Sequence, residues 1–183
     1  MFDVDALTEE EMALVHVFSK GPRWFAVYTR PFHEKVVKTA LTKKGLEVFF
    51  PTRLHLDYRR KIVEVPLFRN YLFVRVEIKS PLYYQVLDTP GVVTVLNKHG
   101  IPIPAEDEEI KSLKILVQQA RDKIVPLPSI KKGEKVIVIK GPLKGAQGVI
   151  VGVDQENLEF VVNLSLLGRS VKMKINPEWV RRL

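Results

Sequence analysis

The chain has no cysteine among its 183 residues, which excludes disulfides and thiolate-held metals. No apolar run approaches the roughly 18 residues that a membrane-crossing helix needs, and no basic-then-apolar leader opens the sequence. Histidine is scarce: His16, His33, His55 and His99 stand apart, without the spacing of metal ligands. There is no Gly-x-x-x-x-Gly-Lys phosphate loop, no paired-histidine motif and no serine, histidine and acid trio. The acids at 106–109 fit the first turn of a helix better than a metal cluster. A cytoplasmic protein without catalytic residues, metal or cofactor is therefore expected.

Positive charge, by contrast, is abundant and unevenly placed. The net charge is +8, although residues 1–21 hold five acids against one lysine. Both the stretch 22–123 and the stretch 131–183 are cationic, which suits contact with nucleic acid or an acidic partner. Hydrophobic content of 46% is that of a globular chain.

Thr8-Glu9-Glu10-Glu11 reads as a capping box opening a helix to about Phe18. Trp24–Thr29, rich in aromatic and β-branched residues, predicts a strand. A helix near His33–Lys44 should bury Val36, Val37, Ala40 and Leu41 and expose Lys35, Lys38, Thr39 and Thr42. Extended segments follow at Leu46–Phe50, Leu54–Tyr58 and Ile62–Val65, with Arg59-Arg60-Lys61 as a charged turn. Tyr71–Ile78 is the strongest strand pattern. Ser80-Pro81 supplies an N-cap serine and a proline at the first helical position, predicting a helix to about Leu87. Val92–Leu96 reads as a strand and 97–100 as a polar turn. Ile110, Leu113, Leu116, Val117 and Ala120 form one apolar stripe of a further helix.

Pro126 and Pro128 suggest that 124–130 is a linker. Beyond it, short alternating runs at 135–140, 147–153, 158–164 and 169–175 suit a small SH3-like β-barrel, closed near Trp179. Its first corner is Gly141–Gly148, where the glycines are expected to supply positive φ for a sharp reversal. The fold class is thus α+β. An acidic extension (1–21) precedes an α/β sandwich on a mainly antiparallel sheet (22–123), then the linker and the barrel (131–183). Glycines 141, 145, 148 and 168 disfavour a helical alternative for the last part.

Three stretches occur in an order that resembles one family. They are Arg23–Tyr28, Pro66-Leu67-Phe68-Arg69-Asn70-Tyr71-Leu72-Phe73-Val74, and the Gly141–Val149 loop followed by Leu166-Leu167-Gly168-Arg169. The chain resembles the bacterial NusG-type transcription elongation factors, with an N-terminal NusG domain and a C-terminal KOW domain. The wording around Tyr71 is similar to that of specialised RfaH-like paralogs, although Arg69 stands where a proline is expected.

The resemblance implies that Phe68, Tyr71 and Phe73, bordered by Tyr28, form an apolar pocket for the clamp helices of RNA polymerase. Trp24 belongs either to the core or to the pocket rim. Ser80 and Pro81 occupy the place of the gate-loop contact. Arg30, His33, Lys35 and Lys38 form a candidate surface for the non-template DNA strand, and a solvated helix face is the plain alternative. Leu166, Leu167 and Arg169 match positions that bind the ribosomal protein NusE or the terminator Rho, although period alone would put at least one of the leucines in the barrel core. The implied activity is elongation and antitermination by a monomeric factor that suppresses pausing. The alternatives are a housekeeping factor assisting termination, or a KOW-type RNA-binding ribosomal or assembly protein.

Overall fold

The computed structural model describes residues 21–128, 133–154 and 156–183, so the expected helix at 8–18 and the end of the expected linker lie outside the described residues. In chain order the elements are β1 (Arg23–Thr29), α1 (Glu34–Lys43), β2 (Glu47–Phe49), β3 (Thr52–Leu56), β4 (Ile62–Pro66), β5 (Tyr71–Val76), α2 (Pro81–Leu87), β6 (Val92–Val95), β7 (Asn97–Lys98) and β8 (Ile101–Pro102). They continue with α3 (Asp107–Gln119), β9 (Val125–Pro128), β10 (Glu134–Val138), β11 (Gln147–Asp154), β12 (Asn157–Leu164), β13 (Arg169–Ile175) and β14 (Val180–Arg182). The described residues divide into two compact units: those from Gly21 to Phe50 with Arg69–Ala105, and Pro51–Phe68 with the described residues from Glu106 onward.

The first unit is built on a four-stranded sheet in the order β2-β5-β1-β6. β5 and β1 are its two inner strands, and in β5 Leu72, Val74 and Val76 alternate with Tyr71, Phe73 and Arg75, so each face receives its own residue set. The register sets Tyr28 opposite Tyr71 and Ala26 opposite Phe73. One face packs Phe25, Val27, Leu72 and Val74 against Val37 and Leu41 of α1 and Tyr83 and Val86 of α2. Ser80 caps α2 as expected, its Oγ accepting from the Tyr83 amide at 3.2 Å.

The second unit contains a six-stranded antiparallel sheet in the order β14-β10-β11-β12-β13-β9, built from the short alternating runs expected of the C-terminal part. Two expectations change here. Val125–Pro128, expected within the linker, is a strand paired with β13. β9 lies at the sheet edge, where a proline's missing N–H costs no ladder bond. Gly141 and Gly145 have the expected positive φ, 75° and 92°, but Gly148 does not. Its requirement is space: a Cβ there would lie 2.3 Å from the Val161 carbonyl oxygen and 2.7 Å from the Phe160 ring.

The same unit holds α3, which buries Ile110, Leu113, Leu116 and Val117 as its spacing predicts. Ser112 is buried too, and its Oγ accepts from the Gln147 amide at 2.8 Å, tying α3 to β11. The β3–β4 hairpin also belongs here. Its turn is fixed by Asp57, whose Oδ1 accepts from the amides of Arg59 and Lys61, each at 2.8 Å.

Candidate functional site

The sheet face opposite the two helices of the first unit is aromatic because β1, β2 and β5 all place rings on that side. Tyr28 and Tyr71, cross-strand partners, hold their ring centroids 5.2 Å apart at 46°. Phe49 and Phe73 stack at 6.2 Å. Exposure separates these rings. Tyr28, Tyr71 and Phe49 are half-buried, whereas Phe73 is fully buried and Trp24 nearly so.

Phe68, which falls in the second unit, is also buried, with 5% of its surface exposed. Of the three rings expected to grip a partner, only Tyr71 therefore offers accessible surface, and Tyr28 joins it. Parity correctly put Tyr71 and Phe73 on one face, but parity does not determine how deeply a face is covered. Trp24 resolves to the core.

A backbone node holds Tyr71 in place. Asn70, in the left-handed region at φ 66°, donates its amide to Glu34 Oε1 at 2.9 Å. Its carbonyl accepts from the Thr29 amide at 2.8 Å and from Thr29 Oγ1 at 3.3 Å. Glu34 is buried at the start of α1 to make this bond. Sequence reasoning missed it, because an acid in a first turn is already explained by the helix dipole. The pattern of α1 changes accordingly: Glu34, Val37 and Leu41 make the buried stripe, and Val36, expected inside, is 61% exposed.

Arg30, His33, Lys35 and Lys38 are all exposed, on the turn before α1 and along its outer face. The His33 Nδ1–H donates to the Pro31 carbonyl at 2.9 Å. Ser80 is half-buried and Pro81 exposed.

In the second unit, Leu166 and Leu167 sit in a 3-10 turn, Ser165–Leu167, ended by Gly168 at φ 59°. Both are half-buried and outside the strands, so neither is the alternate core residue that period alone suggested; Leu164 is buried instead. Arg169 is exposed. Glu109 of α3 holds the start of this turn, accepting from the Ser165 amide at 3.0 Å and from its hydroxyl at 2.5 Å. Burial raises the Glu109 carboxyl above the ordinary 4.5, partly offset by the two Ser165 bonds, while Glu106 adds a further upward push. A network at the base of the hairpin joins Arg121, Glu64 and Thr52, with the Thr52 hydroxyl donating to Glu64 at 2.6 Å. Among the described residues no group of histidines, cysteines or acids is placed to hold a metal ion, and no helix is long and apolar enough to cross a membrane.

A family model described as "Transcription termination factor nusG" matches residues 22–114, and a KOW motif model matches residues 132–163. The first spans half the chain, and this chain belongs to the NusG family. Among curated relatives, the transcription termination/antitermination protein NusG of Helicobacter pylori strain 26695 is 22% identical over 175 residues, covering 87% of this chain and 98% of its own. The protein of that name from Streptococcus pyogenes serotype M1 is 26% identical over 162 residues, covering 80% and 88%. In structure, Thermotoga maritima NusG, solved in a study of its domain interaction, superposes with a TM-score of 0.54 at 23% identity. It covers 90% of this chain and 99% of its own, a likeness of fold.

Proposed function

We propose that this chain is a transcription elongation and antitermination factor that binds RNA polymerase through the Tyr28–Tyr71 face of its first sheet. The observation that carries the reading is that face itself: two half-exposed rings at 5.2 Å, fixed by the Glu34–Asn70–Thr29 node, in a chain of NusG-family sequence and length. The partner is the clamp-helix segment of the polymerase, with Ser80 and Pro81 toward the gate loop. Phe73, fully buried in the same strand as Tyr71, supports that face as packing. A half-exposed aromatic pair at the centre of an interface supports a truncation cost of about 2 kcal/mol or more.

The mechanism is mechanical rather than catalytic. A factor that prefers the closed clamp by ~1.4 kcal/mol shifts the open, paused population tenfold. Arg30, His33, Lys35 and Lys38 attract the non-template DNA strand. The second domain, residues 131–183 with β9 beside it, recruits NusE or Rho through Leu166, Leu167 and Arg169 at raised effective concentration. The factor acts as a monomer in the cytoplasm.

A housekeeping role that includes assistance to termination is the second reading, favoured by the names of the curated relatives. Single-round transcription on a template with a strong pause tests the proposal. The chain should shorten the pause and Tyr71→Ala should abolish the effect; a pause left unchanged by the wild type overturns it. Templates with different non-template strands then separate a sequence-specific factor from a general one.

A further inference from the structure

Phe32 is 96% exposed, more than any other large apolar side chain among the described residues. It also adopts φ 62°, an uncommon backbone state for a bulky residue. The ordinary reason for an apolar residue just before a helix cap is a staple onto the first turn, here onto Val37. That reason fails, because Val37 is wholly buried in the sheet–helix core and the Phe32 ring touches little but solvent.

The turn that carries the ring is nonetheless firmly built. The Arg30 amide donates to the Gly91 carbonyl at 2.8 Å, and the His33 amide to the Arg30 carbonyl at 3.1 Å. Gly91 packs so closely that a Cβ would lie 2.9 Å from Val37 and 3.2 Å from His33. The ring is thus held outward on a fixed support, not on a loose loop.

Its surroundings are cationic. Arg30, Lys35 and Lys38 are exposed, and none of them forms an ion pair among the described residues. The acid between them in sequence, Glu34, is turned inward onto the Asn70 amide. Val36, one helical turn on, is 61% exposed.

We propose that Phe32 is a stacking platform for an unpaired base of a single-stranded nucleic acid, whose flanking phosphates meet Arg30, Lys35 and Lys38. The inference rests on the reading of this surface as a nucleic-acid face and adds a residue and a selectivity for unpaired strands. A ring raised on a turn offers a flat face to one base, whereas an apolar protein partner needs a groove or a broad patch. Duplex keeps its base faces stacked and leaves only phosphates for the cations. Stacking on an exposed aromatic is tolerant of base identity, so the platform adds affinity for single strands without fixing a sequence.

The test uses the full chain and fluorescent strands of about 12 nucleotides, a length within the range one such surface tracks. The strands are DNA, RNA, the same DNA with abasic sites, and duplex. Phe32→Ala should weaken binding to the base-bearing strand about five- to 150-fold. It should leave abasic-strand and duplex binding unchanged, and Phe32→Trp should restore the wild-type affinity. Lys35→Ala with Lys38→Ala should weaken all strands alike, and the DNA and RNA arms identify which strand the platform prefers. Equal loss on base-bearing and abasic strands, or no loss for Phe32→Ala where the lysine variant binds weakly, overturns stacking and leaves the cationic surface standing. Absence of strand binding by the wild type overturns both.

Discussion

Removal of the Glu34 carboxylate should unfasten Tyr71. Glu34 accepts from the Asn70 amide at 2.9 Å, and Asn70 in turn accepts from Thr29 at 2.8 Å, so one buried acid fixes the residue that precedes the exposed ring. A hydrogen bond to a charged acceptor contributes about 1.5–3 kcal/mol, and an orphaned buried amide costs a similar amount. Glu34→Ala should therefore destabilise the node by about 2 kcal/mol, whereas Glu34→Gln, which keeps a carbonyl acceptor, should cost less than about 1 kcal/mol. The assay is amide hydrogen exchange at Asn70 and Tyr71. A 2 kcal/mol loss in local opening appears as exchange faster by about thirtyfold. Lys35→Ala, next door but exposed, is the control and should remain within about 0.5 kcal/mol of wild type. If Glu34→Ala and Lys35→Ala give the same protection at Asn70, the node does not hold the site.

Three further outcomes follow from the geometry. Gly148→Ala should lower the melting temperature of the second unit, followed by Trp179 fluorescence, because its Cβ would meet the Val161 carbonyl at 2.3 Å; forced overpacking costs about 1–3 kcal/mol, and an unchanged melt would refute the close approach. For Glu109, whose carboxyl titrates above 4.5 in the folded chain, the folded state holds its proton more tightly than the unfolded state does. Its ionisation therefore lowers stability as pH rises from about 4.5 through the raised value, and Glu109→Gln should flatten that part of a urea-midpoint profile. Lys35→Ala should reduce the salt slope of single-strand binding by about 0.7, and an unaltered slope would remove Lys35 from the phosphate contacts.

Local signals made much of this architecture legible. Ser80-Pro81 marks the start of α2, and alternating aromatics mark β1 and β5, because cap and strand chemistry act within a few residues. The α3 stripe was equally clear, but its buried Ser112 was not, since its partner Gln147 lies 35 residues away. Pro126 and Pro128 suggested a linker, and only the position of β9 at a sheet edge makes prolines compatible with pairing. At the site, strand parity found the Tyr71 face but could not tell Tyr71 from Phe73, because burial is set by what covers a face. The exposed Phe32 was overlooked, since a lone phenylalanine beside a helix start reads by default as packing.

The central claim, attachment to the transcribing polymerase through the Tyr28–Tyr71 face, is tested most directly by capture of purified RNA polymerase on the immobilised full chain. Wild type and Tyr58→Ala, a control ring 86% exposed on the β3–β4 hairpin, should retain the enzyme. Tyr28→Ala with Tyr71→Ala should weaken capture by about thirtyfold or more while the fold persists by circular dichroism. A double variant that is folded and still holds polymerase as the wild type does would contradict the account.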